Sequence, residues 1–250
     1  MSELGDHASV WCGRPGRAPV FAHRAEIAYY AASLMKLPLL AAAYRAGALD
    51  LAERVPVHAE FASAHSGRFS LDHADDNDEQ PWELLGRTAT LGWLCERMIV
   101  ASSNLATNLV LERTGIPAVA TECPPGMRVL RGIGDATASA AGISNTVTAA
   151  SVAALLARFA ADEELLAVLD AAQYRDCIPA ALPPGTKVGN KSGWVDRLLH
   201  DAAIIRPADA PAYVLVVCTS GLDEGTALEL IHEVTATTWS LRAEEPHAGH

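Results

Sequence analysis

The run Ser33-Leu34-Met35-Lys36 places a hydroxyl and an amine three residues apart, on one face if the segment is helical. A serine hydroxyl is a poor nucleophile until a neighbour takes its proton. Lysine can take it where burial or a second cation lowers its pKa, and arginine cannot. The chain has 250 residues and 19 basic side chains, of which only three are lysines: Lys36, Lys187 and Lys191. Three lysines and 14 serines give about 0.17 accidental Ser-x-x-Lys matches. Taken alone, the motif could still be an ordinary exposed helix lysine.

Two further runs carry chemistry. Ser102-Ser103-Asn104 opens a helical pattern, where serine and asparagine are also common caps. Lys191-Ser192-Gly193-Trp194 lies in a predicted strand. A lysine and a hydroxyl there suit an anionic group, and a glycine allows close approach to the backbone. A strand-end turn with an exposed lysine is the plainer alternative.

These motifs need elements to hold them. Residues 8–23 read as two strands around a Gly-Arg-Pro-Gly turn at 13–16. A helix is predicted over 33–46, with Gly47 as its stop and with irregular first turns because Pro38 lacks an N–H. Residues 56–81 read as loop, ending in a polar, acidic surface run from Leu71 to Pro81. Helical patterns follow at 83–99, 102–113, 146–159 and 162–173, with a long structured loop at 121–145. Strands are predicted at 186–195, 200–206 and 212–219, and an amphipathic helix at 223–242. The simplest assembly is α/β (α+β): the first strands join the last in an antiparallel sheet flanked by helices, and the middle forms an all-helical lobe. The lobe boundaries fall at about 1–30 with 185–250 for the α/β lobe and 31–184 for the helical lobe, within one domain, with a cleft between.

The formal charge of −11 and the lack of any basic stretch argue against nucleic acid and anionic membranes. No apolar run reaches the roughly 20 residues of a membrane helix. The polar start lacks the layout of a secretory signal, so the expected location is the cytoplasm, or outside it after a signal is trimmed. Five cysteines without C-x-x-C spacing fit reduced thiols. His65, His73 and the Asp72–Asp78 acids read as a solvated loop, His247 and His250 as a disordered tail, and Gly132-Ile133-Gly134 is too short for a nucleotide fingerprint.

The order S-x-x-K, S-x-N, K-[ST]-G marks class A β-lactamases and penicillin-binding proteins. This sequence resembles that family over nearly its whole length. The resemblance implies a β-lactamase/transpeptidase-like fold and a serine hydrolase acting on an amide, lactam or ester through an acyl-Ser33 intermediate. Lys36 would be the base, with Lys191 nearby helping to lower its pKa. Ser102 would relay a proton to the leaving group, and Asn104 would hold Lys36 and the substrate amide. Ser192, Gly193 and Trp194 would bind substrate, Ser192 through a carboxylate or similar group. The N–H groups of Ser33 and Trp194 would form the oxyanion hole. The partner is a small-molecule substrate. No metal or organic cofactor is implied, and the oligomeric state stays open.

The sequence also departs from that pattern. Relatives of class A carry a glutamate that activates the deacylating water. Here Gly132 and Ile133 stand after Arg131, and Asp135 is the nearest acid. Where many relatives have a carboxylate-binding arginine, this chain has His200 and Asp201, with Arg197 and Arg206 as possible substitutes. Two other readings therefore stand beside hydrolysis: acyl transfer to a nucleophile other than water, and a catalytically silent binding protein.

Overall fold

The computed structural model describes residues 4–45 and 49–243 of the chain. Five strands form one antiparallel sheet: β1 (Ala8–Gly13), β2 (Pro19–His23), β3 (Lys187–Val195), β4 (Leu198–Arg206) and β5 (Tyr213–Thr219). Their order is β2-β1-β5-β4-β3, so the first strand pairs with the last, as expected from the sequence. β5 is buried at every residue, which is why it reads as an unbroken apolar run rather than an alternation. β3, which carries the Lys-Ser-Gly motif, is an edge strand.

Among the described residues there are six helices of eight or more residues: α1 (Lys36–Tyr44), α2 (Leu91–Val100), α3 (Asn104–Thr114), α4 (Ala149–Phe159), α5 (Glu163–Asp170) and α6 (Glu224–Ser240). α6 turns Ala227, Ile231 and Val234 into a core with Val10, Leu215 and Val217, at the spacing of a single apolar stripe. α4 packs on β1 and β5, and α5 on β3.

Contacts divide the chain into two units. One contains the sheet: the chain through Leu34, Pro124–Met127, and the chain from Val147. The other is Met35–Cys123 with Arg128–Thr146. The sequence-based boundary at 184 put α4 and α5 in the helical lobe, whereas both belong with the sheet. Their apolar stripes are explicit in the sequence, but the layer each stripe covers is decided by tertiary packing.

In the helical unit, α1 packs against α2 and α3. The turn before α1 is a 3-10 helix, Ala32–Met35, and α1 proper starts at Lys36. Pro38 thus stands in the first turn, where a missing N–H costs nothing. α1 ends at Tyr44, and the expected stop at Ala46-Gly47 lies outside the described residues, as do His247 and His250. The helix predicted from residue 83 begins only at Leu91. Thr88–Thr90 is instead a short strand paired with Arg54–Pro56, and the Thr90 hydroxyl caps α2 through Trp93 N (3.3 Å). The segment read as loop contains a small hairpin, Glu60–Ala62 with Arg68–Ser70.

The acidic run is not wholly a surface segment. Asp78 is buried and takes two bonds from the guanidinium of Arg97, itself buried: Nε at 2.7 Å and Nη2 at 2.9 Å. Asp76 also turns inward, as described below. Among the described residues, no helix is long and apolar enough to cross a membrane.

Removing one member of a buried pair strands the other charge. Arg97→Ala should lower the unfolding free energy by about 3–5 kcal/mol in urea titrations. The double variant Asp78→Leu/Arg97→Met should recover most of that loss. An Arg97→Ala protein as stable as the parent would show that the pair contributes nothing.

Candidate active site

In the helical unit the first and second motifs meet. Lys36 has no exposed surface. Its Nζ donates to Ser102 O (2.7 Å), Ser102 Oγ (3.1 Å) and Asn104 Oδ1 (3.0 Å). Ser102 sits between α2 and α3 with φ +56°, a left-handed backbone rare outside glycine. In this conformation its carbonyl and its hydroxyl both reach the same amine. Ser103 is the N-cap of α3, accepting from Ala106 N (3.1 Å). The Ser-Ser-Asn run therefore caps a helix and binds Lys36 at once.

Asp76, which the sequence reading did not single out, supports this cluster. Its carboxylate accepts from Asn104 N and Leu105 N (both 2.8 Å), Ser103 Oγ (3.2 Å) and Trp82 Nε1 (2.9 Å). A carboxylate at a helix N-terminus satisfies orphan N–H groups and suits the helix dipole. The Asn104 amide also donates to Asp75 O (2.8 Å), which fixes its oxygen toward Lys36. Nothing in the letters distinguishes Asp76 from its acidic neighbours.

In the sheet unit the third motif meets the nucleophile candidate. Alternation along β3 puts Lys191 and Gly193 on one face and Ser192 and Trp194 on the other. A Cβ on Gly193 would lie 2.7 Å from Ser33 N and 3.2 Å from Leu34 N, so only glycine lets the strand lie against that turn. The turn is itself tight, with Ala32 at φ +44°. Lys191 is 2% exposed, and its Nζ donates to Ser192 O (2.7 Å). Burial pulls its pKa down to about 7, partly opposed by the charge of Asp201. Trp194, 38% exposed, lies against Tyr174 with ring centres 4.9 Å apart.

No arginine faces Ser192 from the neighbouring strand. Its partner across β4 is Asp201. Asp201 accepts from Ile178 N (2.9 Å), Asn190 Nδ2 (3.0 Å) and Ala202 N (3.1 Å). Burial raises its pKa, and these bonds with the Lys191 charge oppose the rise. His200 is a core residue: Thr219 N donates to its Nδ1 (3.2 Å), so the ring proton is on Nε2 and is given to Tyr30 O (3.0 Å). Arg206 pairs with Asp170, and Arg197 donates to Gly221 O.

The stretch expected to hold a deacylation base is packed for structure. A Cβ on Gly132 would meet Asn108 Oδ1 at 3.0 Å and Phe69 Cζ at 3.1 Å. Asp135 is buried and caps the short helix Ala136–Ala140. It accepts from Ala138 N (3.0 Å), Ala64 N (2.8 Å) and Ser63 Oγ (2.9 Å). Burial alone would raise its pKa, but those bonds and Arg131 hold it below the usual value. A carboxylate so fully engaged is a poor proton acceptor.

Two outcomes follow from this geometry. Gly193→Ala should cost about 1–3 kcal/mol by overpacking against the Ser33 turn, read by chemical denaturation. Stability unchanged by the added methyl would mean that the turn yields freely. His200 has its pKa lowered from 6.5 to about 4, chiefly by burial, with its backbone hydrogen bonds opposing. The unfolded chain therefore takes up this proton first as pH falls. The His200 contribution is complete above pH 6.5 and is lost on the way to pH 4, by roughly 3 kcal/mol at about 1.4 kcal/mol per pH unit. In His200→Gln the fall in stability over that window should be shallower by this amount, and identical slopes would refute the assignment.

The model of the beta-lactamase enzyme family matches residues 2–241. Among solved structures, a beta-lactamase from Xanthomonas campestris pv. campestris aligns with a TM-score of 0.78 and 21% identity, covering 95% of this chain and 91% of that one. A beta-lactamase from Sphaerobacter thermophilus aligns with a TM-score of 0.75 and 25% identity, covering 93% and 89%. The structure of PBP-A aligns with a TM-score of 0.77 and 18% identity, covering 95% and 91%. Among curated proteins no sequence matches. With the family match running from one end of the fold to the other, and the β-lactamase/transpeptidase-like architecture around it, this chain belongs to the beta-lactamase enzyme family.

Proposed function

We propose that this protein is a serine hydrolase acting on an amide, lactam or ester through an acyl-Ser33 intermediate. Ser33 Oγ attacks the carbonyl carbon while Lys36, in its neutral form, takes the hydroxyl proton. The N–H groups of Ser33 and Trp194 receive the developing oxyanion, a kind of contact commonly worth about 3 kcal/mol of barrier. Ser102 passes the proton to the leaving group as the tetrahedral species collapses to the Ser33 ester. Asn104 holds Lys36 and the substrate amide, Lys191 supplies a second amine, and Ser192, Gly193 and Trp194 line the strand side.

One observation carries this reading. Lys36, one of only three lysines, is wholly buried and bonded to Ser102 and Asn104, the members of the next motif. Burying an ammonium costs several kcal/mol, and a methionine or leucine would fill the space without that cost. Its three oxygen acceptors, Ser102 O, Ser102 Oγ and Asn104 Oδ1, match the three hydrogens of an ammonium, so on this reading the amine gives up one of those protons before it acts as the base. The relatives named as beta-lactamases support a lactam among the candidate substrates.

A second reading has its own observation. A side chain at Gly132 would crowd Asn108 and Phe69, and Asp135 is committed to a cap. An acyl-Ser33 species without a water-activating carboxylate lives long enough to pass its acyl group to another nucleophile. The protein is then an acyltransferase that uses the same first half-reaction.

Intact-protein mass spectrometry after exposure to a reporter penicillin and a fluorophosphonate tests both. The expected result is a lasting adduct on Ser33 from at least one reagent, absent in Ser33→Ala. Rapid penicillin turnover without accumulation would contradict slow deacylation. An adduct elsewhere, or none from either reagent, would refute the acyl-serine reading and leave a binding protein on this scaffold.

A further inference from the structure

The face of β3 that bears Ser192 and Trp194 opens on a cavity of about 240 Å³ within the sheet unit. Tyr174, Asp176, Ser192, Trp194 and Glu224 are among its lining residues. Ser192 is 4% exposed, and its Oγ is buried with no hydrogen-bond partner among the described residues. Asn190, two residues back on the same face, gives its amide hydrogens to Tyr174 O and Asp201, and its Oδ1 has no partner among the described residues. Unpaired buried oxygens are costly unless a donor is supplied.

The charged side chains that line this cavity are acidic, while the Lys191 amine reaches Ser192 O from the other face of β3. Asp176 and Glu224 line it, no basic residue does, and Asp201 faces Ser192 from β4. Their field is felt at Cys177, which also lines the cavity: burial, then Asp201, Asp176 and Glu224 in that order, raise its thiol pKa. Arg197 lines the adjoining cavity, but its guanidinium is given to Gly221 O. The Tyr174–Trp194 pair adds aromatic rings, which attract cations.

Resting on the acyl-serine reading above, we infer that the subsite beside Ser192 takes a cationic group of the substrate, an alkylammonium or amidinium, and not a carboxylate. The group donates to Ser192 Oγ, lies against the Tyr174–Trp194 rings and is balanced by Asp176 and Glu224. Gly193, the next residue, backs onto the Ser33 amide from the opposite face of β3, and because β3 is an edge strand a substrate anchored at Ser192 reaches that turn around the strand's free edge.

Calorimetric titration of Ser33→Ala with benzamidinium, benzamide and benzoate separates charge from size, since the three have nearly the same shape. Benzamidinium should bind at least about tenfold more tightly than benzoate, with benzamide between them. Asp176→Asn/Glu224→Gln should weaken benzamidinium by about fivefold or more and leave benzamide nearly unchanged. Benzoate binding as tightly as benzamidinium, no binding of any of the three, or a benzamidinium affinity unmoved by the double variant would overturn the inference. The fluorophosphonate experiment keeps the two failures apart. A parent protein that forms the Ser33 adduct yet prefers benzoate loses the cationic subsite alone. One that selects benzamidinium but forms no adduct keeps the subsite and loses the acyl-serine chemistry.

Discussion

Taking the Lys36 amine out of water sets conditions that propagate through the helical unit. The hydration shell must be replaced by oxygen atoms at bonding distance, or the burial cannot be sustained. Ser102 supplies two of them only because its backbone adopts a left-handed conformation between α2 and α3. Asn104 supplies the third only because its amide hydrogens are already directed at Asp75 O. Both residues lie at the start of α3, whose N-terminus is held by Asp76. Two residues later Asp78 grips Arg97 on α2. One buried amine thus accounts for the inward turn of an acidic run that has every appearance of a solvated loop.

The sheet unit is organised by a different constraint, the two-residue period of an edge strand. It gives β3 two faces with separate tasks. Gly193 presents bare backbone to the Ser33 turn, and the flanking Lys191 shares that face. Ser192 and Trp194 face the side where Asp201, Asp176 and Glu224 gather. A register slip of one residue would bring a side chain into the Ser33 amide and expose the lysine on the wrong face. The full pairing of β3 with β4, from Lys187 opposite Arg206 to Val195 opposite Leu198, holds that register.

Much of this was legible from the letters. The sheet strands fell within a few residues of their predicted ranges because β5 is continuously apolar and the β1–β2 turn carries Gly and Pro. An irregular start to that helix was expected from Pro38, and a 3-10 turn, Ala32–Met35, does precede α1, with Pro38 itself in the first turn of the helix. The motifs gave the candidate residues because Ser-x-x-Lys and Lys-Ser-Gly are local. What failed was long-range. Asp76 and Asp78 carry no local mark that separates them from Asp72 or Asp75. The stripes of α4 and α5 do not say which layer they cover. The short strand Thr88–Thr90 takes its conformation from its partner at Arg54–Pro56 and not from its own apolar pattern.

The two departures from the class A pattern have a common physical character. At Gly132 the space for a side chain is taken by Asn108 and Phe69, and the asparagine is held there by bonds from Ile133 N (2.9 Å) and to Ile133 O (2.9 Å). At Asp201 the carboxylate is wired to the backbone of Ile178 and to Asn190. Neither place is a pocket from which a catalytic side chain has simply been deleted. At both places the residues that stand there are held by hydrogen bonds, Asn108 at Ile133 and both Asp201 oxygens at Ile178, Asn190 and Ala202. Lys36 keeps its bonds to Ser102 and Asn104. On the acyl-serine proposal, a buried Lys36 bonded to Ser102 and Asn104 beside an occupied Gly132 and a hydrogen-bonded Asp201 fits a different substrate and a different fate for the acyl group better than it fits a decayed scaffold.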